Sequence, residues 1–310
     1  MKYELNEAIP ILGDLLKENK LNIFVGSGIS LPSDIPDWNG LILEFVNMAK
    51  DLKLFDEKDK KEINQIFSDV EKRRKENRFE PIQIATVLKN RLKKTKDFSN
   101  EKSLARREYK SWFTKIFEKK PNKMHFDIIE TNYSHILTSN YDSLLQYAAY
   151  DRGYLNLAEN TLSYKDQTQI LRNINNNISS IIHIHGMYNS LEIDELIFTK
   201  EDYNKIIMKK YDGFSFALRM LFTRQSTLFV GYGASDPHLE EILEELSEYF
   251  PLNDEYYSLP QSYLVTKREK ADSILEQYKG RVGTNLIIID NFEQYKDLFT
   301  ELKKIKPREK

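Results

Sequence analysis

Six short runs of aliphatic and β-branched residues, each ending in glycine or a small polar cluster, constrain this chain more than any other feature. They are Asn22–Val25, His135–Thr138, Ile181–Ile184, Thr227–Val230, Ser262–Val265 and Leu286–Ile289. A half-exposed strand alternates apolar and polar residues, whereas these runs are nearly continuous, as in strands buried on both faces. Burial on both faces requires helices above and below. Helical spacing of apolar residues appears over Tyr3–Asn19, Ser235–Tyr249 and Asn291–Ile305, and the second begins with Asp236-Pro237, a helix-start pair.

Strands alternating with helices predict an α/β fold: a Rossmann-like, doubly wound, mostly parallel sheet with right-handed crossovers. The interval after the first of these runs breaks the rhythm. A crossover needs about a dozen residues, but Gly40 to Glu130 intervenes before the second run, so it reads as a helical insertion. Residues 1–310 are thus expected to form one domain with an insertion over 40–130. Glu71–Arg78 and Glu118–Lys123 are charged stretches, and the run Glu71-Lys72-Arg73-Arg74-Lys75 reads as a solvated helix face in preference to a phosphate contact. Phe45, Leu52, Phe79, Leu92, Trp112 and Phe117 suit either an ordinary core or an interface or lid.

Totals exclude several classes. The net charge of −2 gives no general electrostatic reason to bind nucleic acid or an anionic membrane. No apolar stretch approaches the roughly 18 residues of a membrane span. The opening Met1–Pro10 carries Glu4 and Glu7 and lacks a signal-peptide core, so a cytoplasmic location is expected. The chain has no cysteine, which removes disulfides, thiol nucleophiles and cysteine zinc sites together.

Ligands of open parallel sheets bind at the carboxyl ends of strands, and four such ends carry unusual residues. The first run leads into Gly26-Ser27-Gly28-Ile29-Ser30, where glycines permit backbone N–H groups to approach a pyrophosphate. A plain turn is the alternative. Leu31 stands where the dehydrogenase fingerprint has its third glycine, and no phosphate-loop lysine follows. The second run closes in Thr138-Ser139-Asn140-Tyr141-Asp142, whose Asn and Asp suit either helix caps or contacts to a ribose hydroxyl and a water. The third carries His183-Ile184-His185-Gly186, suited to proton transfer near neutrality or to a structural role. No third ligand stands at metal spacing from these histidines, so no metal is expected. The fourth is Gly231-Tyr232-Gly233-Ala234-Ser235-Asp236, either a second phosphate or ribose contact or a turn with a helix cap.

Together these motifs, with Ile35-Pro36-Asp37-Trp38, resemble the sirtuin-like family of NAD⁺-consuming proteins. The resemblance runs from about Asn22 to about Asp290 and excludes the insertion. It implies that the first glycine loop contacts the pyrophosphate and that Ile35, Asp37 and Trp38 line the nicotinamide pocket. It also implies that Asn140 and His185 serve the chemistry. Asn39 and Asp34 replace the arginine and glycine usual beside that segment, and the four-cysteine zinc module of deacylases is missing. Thr199-Lys200-Glu201-Asp202-Tyr203, Val230-Gly231-Tyr232-Gly233 and the Asn140-Tyr141-Asp142 form are similar to the sirtuin-like effectors of bacterial anti-phage defence, which hydrolyse NAD⁺.

The resemblance predicts cleavage of the nicotinamide–ribose bond of NAD⁺ as substrate. Asn140 would hold ribose hydroxyls and water, and His185 would accept a proton. Asp142 and Asp37 would orient the nicotinamide amide or offset the cationic transition state. Gly26, Ser27, Gly28, Ile29, Ser30, Gly231, Tyr232, Gly233 and Ser235 would bind the pyrophosphate and riboses. Control of so destructive an activity implies a homo-oligomer or an activating or inhibiting protein partner, phage-derived or co-encoded. A deacylase on the same NAD⁺ site and a non-catalytic NAD⁺ or ADP-ribose sensor are the alternatives.

Overall fold

The strands β1 (Lys2–Glu4), β2 (Leu21–Val25), β3 (Ile136–Thr138), β4 (Thr161–Ser163), β5 (Ile181–His183), β6 (Ser226–Val230), β7 (Ser262–Lys267) and β8 (Thr284–Ile289) form one sheet. Their spatial order is β1-β8-β7-β6-β2-β3-β5-β4, and every neighbouring pair is parallel. This computed structural model describes residues 1–51, 81–94, 104–189, 195–206, 212–233, 236–249, 260–277 and 284–309, with isolated residues between 57 and 68. Glu71–Arg78, Leu52, Phe79 and Ser235, and the side chain of Leu92, lie outside the described residues.

All six apolar runs are strands of this sheet. Their continuity reflects two separate cores. Along β2, Ile23 and Val25 enter one core and Phe24 the other. On β6, Leu228 and Val230 oppose Phe229; on β8, Ile287 and Ile289 oppose Leu286 and Ile288. The first core is closed by α1 (Leu5–Lys17), α5 (Lys123–Glu130), α6 (Leu144–Asp151), α7 (Leu155–Glu159) and α13 (Gln294–Ile305). The second is closed by α8 (Gln167–Asn175), α10 (Asp212–Arg224), α11 (Pro237–Tyr249) and α12 (Ala271–Gln277). Fully burying one Leu, Ile or Phe contributes about 1.5–3 kcal/mol.

Two strands fall outside the apolar runs, and both are sheet edges. The helical spacing from Tyr3 begins too early: Tyr3 and Glu4 belong with Lys2 to a strand paired with β8, and α1 begins at Leu5. Thr161–Ser163 pairs only with β5. An edge strand pairs on one side, and these have no continuous apolar run to mark them.

The segment between β2 and β3 is longer than a plain crossover needs. Its described helices, α2 (Trp38–Asp51), α3 (Pro81–Lys94) and α4 (Leu104–Phe117), build a third core. Phe45, Phe113 and Phe117 pack there with Tyr141, Tyr188 and Phe198, which come from the sheet's carboxyl-end loops. The insertion therefore shares its core with the loops that end β3 and β5. Among the described residues no helix is long and apolar enough to cross a membrane.

Candidate functional site

Strand β2 is where the winding reverses: the chain passes to β3 on one side and later returns to β6 on the other. A crevice at such a switch point, outside the carboxyl ends, is the expected ligand site of this architecture. A cavity of about 860 Å³ lies there, lined by the ends of β2, β3, β5 and β6 and roofed by α2 and α3 of the insertion. Its lining includes Gly26, Ser27, Ile35, Asp37, Trp38, Asn140, Asp142, His185, Gly231, Tyr232 and Gly233, so the four strand-end motifs and the Ile35–Trp38 segment converge on one space.

The two glycine loops also pack against each other. A Cβ on Gly26 would stand 2.4 Å from the Gly231 carbonyl oxygen, and one on Gly28 would stand 2.8 Å from the Gly231 Cα. Gly231 itself has φ +59°, and a Cβ there would stand 2.7 Å from the Ile29 nitrogen. The two loops are packed backbone against backbone. Their N–H groups are correspondingly occupied: Gly26 donates to Val230, Gly28 to Gly231, Ile29 to Gly26 and Ser30 to Ser27. Ser27 alone in this loop makes no such bond among the described residues. The loop continues as a single 3₁₀ turn, Ser27–Ile29, rather than as an α-helix whose N-terminus faces phosphate. Gly28, Ile29 and Ser30 therefore form a supporting layer and do not line the cavity. Ile29 and Ser30 are fully buried.

Ser30 instead holds the site's polar residues. Its hydroxyl donates to Asp142 Oδ2 at 2.9 Å and accepts from Asn140 Nδ2 at 3.1 Å. Asn140 Nδ2 also reaches the Gly26 carbonyl at 3.3 Å, while its Oδ1 is buried with no partner among the described residues. Asp142 Oδ1 accepts from the Leu144 N–H at 3.0 Å at the start of α6, so it is a cap as well as a site residue. Burial raises the Asp142 carboxyl above the ordinary carboxylate range, with the Leu144 and Ser30 hydrogen bonds opposing.

The two histidines of the third motif have separate tasks. β5 ends at His183, whose Nδ1–H donates to the Asn140 carbonyl at 2.9 Å and fixes that backbone. Burial lowers its pKa to about 4, keeping it neutral. His185 lies beyond the strand end in the cavity wall, and its Nε2 approaches Asp236 Oδ2 at 2.8 Å. The contact falls outside good hydrogen-bond alignment. Burial pushes the Asp236 carboxyl up, but His185 and the Leu239 N–H outweigh it and hold it below its ordinary value.

Asp236, the last residue of the fourth strand-end motif and the start of a helix, plays two parts. It caps α11, through Leu239 N at 2.9 Å, and its second oxygen meets His185. Tyr203 was missed as a site residue. Its hydroxyl donates to the same Asp236 oxygen at 3.3 Å, and its ring meets His185 edge-on at 5.3 Å. Burial and the Asp236 charge push its phenol well above the ordinary range, so the O–H remains a donor. Tyr203 sits on α9 (Lys200–Lys205), capped by Thr199, whose side chain and Asp202 bond reciprocally. Lys89 of α3 reaches Asp202 at 2.9 Å with both side chains buried, tying the insertion to this helix.

Asp37 is exposed and caps α2 through Gly40 N at 2.7 Å, and Trp38 packs on Phe198. Asp34, standing where the resemblance expected glycine, adopts φ +59°, the left-handed region that glycine favours and Asp tolerates. Among the described residues no group of three histidine, aspartate or glutamate side chains is placed to hold a metal ion.

Residues 134–283 match the family model described as SIR2-like domain. Over 249 residues the chain is 24% identical to the protein named defense-associated sirtuin 2 of Bacillus subtilis, covering 76% of this chain and 20% of that one. Over 188 residues it is 23% identical to the NAD(+) hydrolase ThsA of Enterococcus faecium, covering 54% of this chain and 37% of that one. The matches thus span about a fifth and about a third of those relatives' lengths.

Proposed function

We propose that this chain, with its SIR2-like domain, is an NAD⁺ hydrolase that cleaves the nicotinamide–ribose bond and serves bacterial anti-phage defence by depleting NAD⁺. The observation that carries the reading is the convergence of Asn140 and a carboxylate-backed His185 on one cavity. Asn140 offers a buried acceptor, Oδ1, that no described residue satisfies, and a ribose hydroxyl is a donor of the right kind. A simple binding module has no use for an imidazole backed by a carboxylate.

The chemistry follows from the leaving group. Nicotinamide departs neutral from a pyridinium and needs no acid, so the barrier lies in positive charge developing on the ribose. Water adds at C1′ as the C1′–N bond breaks, giving nicotinamide, ADP-ribose and one proton. His185 has Nε2 turned to Asp236, leaving Nδ1 to take that proton from water or through a ribose hydroxyl. The carboxylate then stabilises the imidazolium, as in other carboxylate–histidine pairs. Asp142 places further negative charge beside the cationic ribose. Ser27 and Gly233, with Lys200 and Lys270 also in the cavity wall, are the groups proposed to meet the pyrophosphate.

Nicotinamide release from NAD⁺ tests this reading. His185→Ala is expected to lower the rate by about 10²–10⁴, the usual worth of general-base help, and Asn140→Ala by a similar factor. Full activity in either variant would overturn the assignment. Acetyl release from an acetylated peptide in step with NAD⁺ loss would mark a deacylase instead. Control by self-assembly or by a protein partner remains part of the proposal, tested by whether the rate rises with protein concentration or on adding the partner.

A further inference from the structure

His125 lies on α5 behind the cavity, fully buried and used by no step above. Its Nδ1 is 3.2 Å from the Asn122 backbone nitrogen, a group that only donates, so Nδ1 is an acceptor. The ring hydrogen therefore sits on Nε2, 3.3 Å from Ser30 Oγ. Burial lowers the ring's pKa to about 3, so no second proton is taken up near neutrality. Ser30 Oγ now has a complete account: it accepts from His125 Nε2–H and from Asn140 Nδ2–H, and it donates to Asp142. A hydroxyl has one hydrogen and two lone pairs, and all three are assigned.

The consequence falls on Asn140. If its amide flipped, Oδ1 would face the Gly26 carbonyl and a serine oxygen whose hydrogen is committed elsewhere, acceptor against acceptor. Nδ2 is thus held inward, and Oδ1 remains the atom without a partner among the described residues.

We propose that His125 is a positioning residue for the cleavage: as a neutral Nε2–H donor it keeps Ser30 an acceptor, and Ser30 in turn holds the Asn140 amide with Oδ1 left for a ribose hydroxyl. The proposal rests on the hydrolase reading of the site. It differs from a purely structural role, in which His125 matters only as the cap partner of Asn122.

Two conservative variants of the full chain separate these roles. His125→Gln keeps an N–H donor near the Nε2 position but loses the Nδ1 acceptor. His125→Asn keeps an acceptor near Nδ1 but cannot reach Ser30. Positioning predicts near-normal turnover in His125→Gln. In His125→Asn it predicts a turnover loss of about 10–100-fold, the usual effect of removing a supporting hydrogen bond behind a working group, with KM for NAD⁺ little changed. A capping role predicts the reverse order, and that result would overturn the proposal. Nitrogen-15 NMR of the wild type gives a readout free of activity and of variant folding. The expected His125 tautomer is Nε2–H and the Asn140 side-chain amide is protected from exchange; an Nδ1–H tautomer or an unprotected amide would overturn the proposal. Should the wild type release no nicotinamide, the hydrolase reading fails while the NMR result still decides whether His125 orients Asn140.

Discussion

His185 Nε2 and Asp236 Oδ2 stand 2.8 Å apart, with their side chains only 4% and 5% exposed, although 51 positions separate them in the chain. Removing the charge while keeping the shape isolates its contribution. Asp236→Asn is expected to lower nicotinamide release by about 10²-fold, the lower range of acid–base contributions, with NAD⁺ affinity by calorimetry nearly unchanged. A loss confined to affinity would place Asp236 in binding rather than in support of the base.

Tyr203→Phe removes one hydroxyl from the same group and keeps the ring against His185. The expected loss in turnover is about tenfold, that of one hydrogen bond to a charged group worth roughly 1.5 kcal/mol. Measuring the pH–rate profile distinguishes positioning from packing: only positioning moves the limb assigned to His185.

The loop-against-loop glycines give a stability prediction with an internal control. Gly231→Ala meets both a left-handed backbone and a Cβ 2.7 Å from the Ile29 nitrogen, whereas Gly153→Ala meets φ +77° with nothing within 4 Å. Gly153→Ala should cost about 1–2 kcal/mol, the left-handed penalty alone. Gly231→Ala should cost clearly more and also disturb nicotinamide release. Equal costs in urea unfolding would refute the close packing of the two loops.

Lys89 and Asp202 form a buried ion pair across the junction of insertion and sheet. Lys89→Met leaves Asp202 without this partner, and breaking such a pair costs about 3–5 kcal/mol. Lys205 and the Thr199 groups still contact Asp202, so a value near the lower end is expected. A thermal midpoint equal to wild type would show that the pair contributes nothing net.

Acid should unfold the protein through its histidines. Burial lowers the pKa of His125 to about 3 and of His135, His183 and His238 to about 4. In the unfolded chain these rings titrate near 6.5. Between about pH 6.5 and 4 the unfolded state therefore binds more protons, and stability falls as pH falls. The contribution is fully present above about pH 6.5 and is lost as pH drops through 4. With four such groups the slope approaches roughly 5 kcal/mol per pH unit. Urea midpoints at pH 7.5, 6 and 5 check this; a flat profile would mean that water reaches the rings.

The sheet was legible because its cause is local. A strand buried on both faces must be apolar throughout, and the six runs mark β2, β3, β5, β6, β7 and β8 to within two residues at either end. The edge strands Lys2–Glu4 and Thr161–Ser163 were not marked, since pairing on one side leaves no continuous apolar run. His125 carried a readable sign in Asn122, three residues earlier at capping-box spacing before an apolar helix.

By itself, then, the sequence determined the fold class and placed four motifs at strand ends, because periodicity and glycine placement act over a few neighbouring residues. The tertiary structure decided which atoms meet. Strand order brings Ser30 to Asp142, His185 to Asp236 and Gly231 to Gly26 and Gly28, so that the two glycine loops pack together and a helix cap also meets an imidazole. Such pairings depend on the path of the chain through space and on which hydrogen-bonding groups are already satisfied, and neither is written in the spacing of residues along it.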